Sequence, residues 1–200
     1  MTEKAVEIIE EESLHEGFFK LKKVLLRHEL FQGGWSGVME RELFERDPVV
    51  GLLPYDPASD SLVLLEQFRL PAFRNDGMET WQNEIVAGIV EPGESLEEVA
   101  RRESLEEAGC EVKALEKIIT YMPSQGACTE VVTLFAGWAD TQGLGGVHGL
   151  DHEHEDILAK VVSFEEAWAL LESGRVQNSP AIIALQWLRL NRERLRDIWR

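Results

Sequence analysis

The chain has 200 residues, 44% hydrophobic and 28% charged, enough to bury a sizeable core and form one main domain with a small extra layer. Against 37 Asp and Glu stand only 20 Lys and Arg, a formal net charge of −17, which argues against nucleic acid as a partner because phosphate-backbone recognition needs a basic surface. The two cysteines, Cys110 and Cys128, lack Cys-x-x-Cys spacing and suggest neither a disulfide framework nor a zinc knuckle.

In chain order, the first dozen residues carry Glu7, Glu10, Glu11 and Glu12 and read as a frayed helix or a mobile tail. Their start shows no signal-like pattern, and no apolar run reaches the length of a membrane span, so a cytoplasmic location away from any membrane is expected. Residues 18–27 and 38–46 read as strands separated by the Gln32-Gly33-Gly34 turn. Residues 49–55 and 62–69 form a hairpin across Asp56-Pro57-Ala58-Ser59-Asp60, placed near the centre of the sheet. Further strands are expected over 81–90, 118–122, 131–138 and 157–162. Ser95 with Glu98 is a capping box opening a helix that Gly109 closes, and Ser163 with Glu166 opens a second that Gly174 closes. Ser179 followed by Pro180 opens a third, carrying Ile182, Ile183, Leu185, Trp187, Leu188 and Leu190. A boundary near residue 47 divides an N-terminal β subdomain, 1–47, from an α/β domain, 48–200.

The informative segment is 88–110. On a wheel of roughly 100° per residue, Leu96, Val99, Ala100, Glu103, Glu106 and Glu107 share one face. Three carboxylates therefore point the same way as the core residues, where clustered negative charge is unfavourable unless neutralised. Hard divalent cations are the natural remedy, since Mg²⁺ prefers carboxylate oxygens and keeps positions open for phosphate and water. Arg102 lies four residues from both Glu98 and Glu106 and can pair along the helix. The competing reading is a solvated acidic face stabilised by Arg101 and Arg102, which the phase with Leu96 and Val99 disfavours. Glu91-Pro92-Gly93-Glu94 adds a tight loop that returns Glu94 to the start of the helix.

The spacing Gly88, five residues, Glu94, seven residues, Arg102-Glu103, then Glu106-Glu107 and Gly109 resembles the Nudix box, with Ser104 departing from the usual aliphatic. The resemblance runs from Gly17-Phe18-Phe19 to Ile182-Ile183-Ala184-Leu185-Gln186-Trp187 and is nearest to the family's bacterial ADP-ribose pyrophosphatase (ADP-sugar diphosphatase) subgroup. It implies an α/β/α sandwich with a mixed sheet, a small N-terminal antiparallel β-sheet subdomain used for dimerisation, and a homodimer with shared active sites. It also implies Glu103 and Glu107 as metal ligands, Glu106 assisting, and the carbonyl of Ala87 as a further ligand. The cofactor is expected to be Mg²⁺, with Mn²⁺ a substitute.

In Gly149-Leu150-Asp151-His152-Glu153-His154-Glu155-Asp156, the resemblance makes Glu153 the general base and Glu155 another metal ligand, completing a catalytic set with Arg102 and Glu106. A zinc site from His148, His152 and His154 is disfavoured, because alternate loop residues seldom close a shell. Arg69 and Arg41 resemble the arginines that hold substrate phosphates and the terminal ribose, against a reading as surface ion pairs with neighbouring glutamates. Phe18 resembles the aromatic that stacks on adenine, against a plain core phenylalanine. Ser124 and Glu130 resemble the substrate-binding residues of a Ser-Pro-Gly stretch in which Gln125 replaces the proline. The expected reaction is hydrolysis of ADP-ribose to AMP and ribose 5-phosphate. The rivals are another nucleoside diphosphate sugar such as GDP-mannose, a silent nucleotide-binding module, and a Ca²⁺-binding structural protein.

Overall fold

The structure, a computed structural model, describes residues 4–199. It divides into two compact units, one of residues 1–47 with 122–131 and one of 48–121 with 132–200.

In the first unit, β1 (Val6–Glu16), β2 (Lys20–His28) and β3 (Met39–Glu45) form an antiparallel sheet in that order. The acidic start is thus a strand, not a helix or tail; residues 1–3 lie outside the described residues. Its glutamates are held across the strands, Glu7 by Arg27 at 2.5 Å and Glu11 by Lys22 at 2.6 Å. Segment 122–131 joins this unit through Phe44, whose N–H donates to the Ala127 carbonyl at 2.7 Å and whose carbonyl accepts from Thr129 N–H at 3.0 Å.

The second unit is built on a mixed eight-stranded sheet. Its continuous order is β10 (Gly146–His148), β11 (Ile157–Ser163), β5 (Ser61–Phe68), β4 (Val49–Asp56), β9 (Val132–Ala139) and β8 (Val112–Tyr121). The hairpin of β4 and β5 is central, as expected. Its turn is fixed by Asp56, whose Oδ1 accepts the N–H of Ala58 at 2.9 Å. Only two residue pairs join β4 to β5, Tyr55 with Leu62 and Asp56 with Ser61. Beyond them the strands part, and β6 (Trp81–Glu84) pairs with β5 while β7 (Val86–Ile89) pairs with β4. The strand expected over 81–90 is therefore two, broken at the buried Ile85.

Alternation along the central strands feeds two cores. Leu53, Tyr55, Leu62 and Leu64 face one way, against α3 (Phe164–Glu172) and α4 (Ser179–Ile198), while Val50, Leu52, Val63 and Leu65 face α2 (Leu96–Ala108). Helices on both faces of a mixed sheet make the expected α/β/α sandwich. The helix ends follow their capping residues. Ser95 with Glu98 and Ser163 with Glu166 form complete capping boxes, and Gly109 closes α2 in the left-handed conformation. Helix α4 begins one residue earlier than its Ser-Pro pair suggests, because Asn178 takes the cap and accepts from Ala181 N–H at 3.1 Å. The short helix α1 (Leu70–Phe73), the strand β10 and a 3₁₀ turn (Asp151–Glu153) were not anticipated. Among the described residues no helix is long and apolar enough to cross a membrane.

A candidate active site on the carboxylate helix

The opening of the sheet between β4 and β5 gives β7 to the face on which α2 packs, and this sets the site. Residues Val99, Ala100, Ser104, Glu107 and Ala108 are the buried side of α2. Glu107 lies within the apolar stripe, only 4% exposed, and its Oε2 accepts the backbone N–H of Ala87 at 2.9 Å. Burial raises its pKa to about 8, aided by repulsion from Glu103 and Glu155 and opposed by the Ala87 hydrogen bond. Glu103, one turn earlier, is raised to about 7, again chiefly by burial and despite the Arg102 guanidinium beside it. Ser104, at the departing position of the motif, is fully buried, and its small side chain fits beneath α2 where Leu105 points outward.

The close approach of α2 to β7 requires Gly88. A Cβ built there would overlap the carboxyl group of Glu103.

Arg102 ties the motif together. Its Nε and Nη2 donate to Glu94 at 2.9 and 3.0 Å, and its Nη1 donates to Glu103 at 2.7 Å and to Glu106 at 3.1 Å. These partners, Glu94 foremost, hold the guanidinium firmly charged. The expected pairing of Arg102 with Glu98 is not made. Glu98 is occupied in the capping box, accepting from Ser95 N–H at 2.8 Å, and Glu94 takes its place. Arg102 is thus a positioning residue that holds three carboxylates.

Glu153 is exposed, with Oε1 3.5 Å from Nε2 of His152. Glu155 accepts the Leu150 N–H through Oε2 at 3.2 Å, and its charge is felt by Glu103, Glu107 and Arg69. Among the described residues no three Asp, Glu, His or Cys side chains already converge as a ligand shell, the three histidines of this segment included. The donor set nevertheless suits a hard cation, because it offers only oxygens and two of its carboxylates are desolvated side by side.

Arg69 is not paired with its sequence neighbours. Glu66 bonds instead to Lys160, and Arg69 donates through Nε and Nη2 to Glu84 at 2.9 and 2.7 Å. Glu84 is a residue that sequence reasoning missed, since its partner lies fifteen positions away and only the β5–β6 pairing brings them together. The fork leaves Nη1 of Arg69 without a protein acceptor among the described residues.

The other candidates belong to the first unit. Phe18 is 84% exposed and meets Phe19 edge-on at 4.8 Å, so it is not a core phenylalanine. Arg41 is exposed, with no carboxylate partner among the described residues, and donates to the Glu40 carbonyl at 2.7 Å. Glu130 lies 3.7 Å from Arg46, which also covers the Phe19 ring, while Ser124 is exposed and its carbonyl closes a turn with Cys128 N–H at 3.0 Å.

The model of the NUDIX domain matches residues 45–185. The chain is 45% identical over 195 residues to the ADP-ribose pyrophosphatase of Escherichia coli (strain K12), covering 97% of this chain and 92% of that protein. It is 43% identical over 197 residues to the ADP-ribose pyrophosphatase of Haemophilus influenzae, covering 98% and 91%. The crystal structure of an ADP compounds hydrolase superposes with a TM-score of 0.68 at 22% identity, covering 96% of this chain and 95% of that one, a likeness of fold.

Proposed function

The chain belongs to the NUDIX family, and from that premise we propose that it hydrolyses the pyrophosphate bond of ADP-ribose, giving AMP and ribose 5-phosphate. The observation that carries the reading is the pair Glu103 and Glu107, two desolvated carboxylates one turn apart whose ionisation near neutral pH calls for a divalent cation. Similarity to the two pyrophosphatases selects the substrate within the family.

Glu103, Glu107 and the Ala87 carbonyl, with Glu106 and Glu155, are the residues that would hold Mg²⁺, or Mn²⁺ in its place. When bound, the cation supplies positive charge to the diphosphate oxygens and makes water more acidic. The protein's own part is to place the groups around it. Glu153, on an exposed loop free of the apolar core, accepts the proton of the attacking water. Arg69 offers its spare Nη1 to a phosphate oxygen while Glu84 holds the other two nitrogens. Arg102 keeps Glu103 and Glu106 in place from the outer side of the helix. Phe18, Arg41, Ser124 and Glu130 are assigned to substrate recognition by the same reading, which includes a homodimer with shared active sites and a cytoplasmic location. Exposed Val6, Ile8 and Leu14 on β1 support the homodimer, since a second copy would cover such an apolar surface.

The test is a phosphatase-coupled assay of phosphate release on ADP-ribose and on GDP-mannose, with Mg²⁺ and with a chelator, for the native protein and Glu153→Gln. Metal-dependent turnover that prefers ADP-ribose and collapses in the variant is the expected result. Preference for GDP-mannose would move the substrate, and no turnover on either would leave a nucleotide-binding module.

A further inference from the structure

The loop that carries Glu153 and Glu155 is the turn of the β10–β11 hairpin. The last pair of that hairpin is His148 with Ile157, and Ile157 is fully buried in the core beneath α2. Beyond this pair the loop closes upon itself. Glu153 N–H donates to the Leu150 carbonyl at 2.9 Å, and Leu150 N–H donates to Oε2 of Glu155 at 3.2 Å. Gly149 turns with φ +107, and a Cβ on it would stand 2.7 Å from Cβ of Glu155. Segment 149–155 is therefore a small closed body, and its orientation depends on how its root is fastened.

Two contacts fasten the root, both to the C-terminal end of α2. Gly149 N–H donates to the Glu106 carbonyl at 3.3 Å, satisfying one of the carbonyls that a helix end leaves without an intrahelical partner. The imidazole of His148 lies against Gly109, so that a Cβ there would come within 2.9 Å of Cε1 and 3.5 Å of Nδ1. The same ring places Nε2 3.3 Å from the Gly145 carbonyl, which bridges it to the entry of β10. Gly109 thus has a second task besides closing the helix, since its bare face is the seat for the ring.

We propose that His148 is a positioning residue, whose ring seated on Gly109 sets the register of the loop bearing Glu153 and Glu155 against the carboxylates of α2. The inference rests on the reading of Glu153 as the base. Displacement of a catalytic group by about 1 Å costs about a hundredfold in rate, so a partly loosened root gives a substantial loss in kcat while leaving ground-state binding alone. The seat on Gly109 needs the volume of the ring and the bridge to Gly145 needs Nε2, so a phenyl ring, which keeps only the first, is a partial replacement.

The experiment compares the full-length native protein with His148→Ala and His148→Phe, each with and without Glu153→Gln. On ADP-ribose with Mg²⁺, His148→Ala is expected to lose about tenfold in kcat with KM within about twofold, and His148→Phe to stay within about threefold of native. Added to Glu153→Gln, His148→Ala is expected to cost clearly less than the roughly tenfold it costs alone, because the share that acts through Glu153 is already lost and only the share through Glu155 remains. In metal-free amide hydrogen exchange, Gly149 and Leu150 are expected to exchange faster in His148→Ala while β4 and β5 do not change. A full multiplicative loss on the Glu153→Gln background, a change in KM alone, or unaltered exchange at Gly149 and Leu150 would overturn the proposal. If Glu153→Gln alone retains native turnover, the base assignment fails, and the exchange result still decides whether His148 fastens the loop.

Discussion

Glu107 accepts the Ala87 N–H at 2.9 Å, so the helix that bears the carboxylates and the strand that bears the expected carbonyl ligand are joined at the atoms where a cation would sit. The bond tethers Glu107 in either protonation state. Burial nevertheless disfavours its charged form and raises the pKa to about 8, with Glu103 raised to about 7.

This predicts an unusual dependence of stability on pH. Both folded pKa values lie above the ordinary carboxylate value of 4.5, so between that value and about 7 to 8 the native state binds more protons than the unfolded chain. The contribution of these groups is therefore complete below the unfolded pKa and lost as pH rises through the folded values. Thermal unfolding in chelator will show Tm falling between pH 5 and 8 by more in the native protein than in Glu107→Gln, and saturating Mg²⁺ will flatten the slope. Parallel slopes in the two proteins would show that Glu107 is not the group responsible.

Gly88→Ala separates packing from chemistry. The added methyl overlaps the Glu103 carboxyl group, which must swing away, at an overpacking cost of about 1–3 kcal/mol. Glu103 then leaves the metal side of the helix, and the Mg²⁺ concentration for half-maximal turnover will rise by about tenfold or more. A metal titration of activity beside a chemical unfolding curve reads both effects.

These predictions use contacts of unequal visibility in the sequence. The ends of α2 and α3 were legible because a capping box and a following glycine are local chemistry, complete within a few residues. The carboxylate face was legible for a similar reason, since helical periodicity alone brings Glu103 and Glu107 together. Strand β1 was not, because its glutamates acquire meaning only opposite Lys22, Lys23 and Arg27 on β2. The break at Ile85 was equally hidden: a continuous stretch of strand residues does not show that its halves belong to different neighbours. The Arg69–Glu84 pair depends on that same break and stayed hidden with it.

Arg69 offers a sharper test of the phosphate assignment. Both fork nitrogens are used by Glu84, so the guanidinium is held in a fixed plane with Nη1 outward. Arg69→Ala will weaken capture of ADP-ribose, lowering kcat/KM by about ten- to a hundredfold, the worth of a charge-assisted hydrogen bond. Arg69→Lys will recover little of it, because an ammonium cannot grip Glu84 bidentately and still present a donor in a set direction. Recovery to native kcat/KM in the lysine variant would show that charge alone suffices.

Glu107→Gln tests the centre of the site. The amide retains a carbonyl oxygen for the Ala87 N–H and nearly the same volume, so the joint between α2 and β7 survives. It also removes a carboxyl group whose ionised form is costly in this position, so in chelator near pH 8 the variant will unfold at a Tm equal to or above that of the native protein. The same substitution takes one negative charge from the cation-binding set, and turnover on ADP-ribose will fall by about 10²–10³-fold or more, the scale seen when a group stabilising the transition state is lost. Stability kept while activity is lost is the signature of a residue retained for chemistry at a cost to the fold. A variant that loses both would make Glu107 a structural anchor of β7, and one that loses neither would move the metal site off this helix.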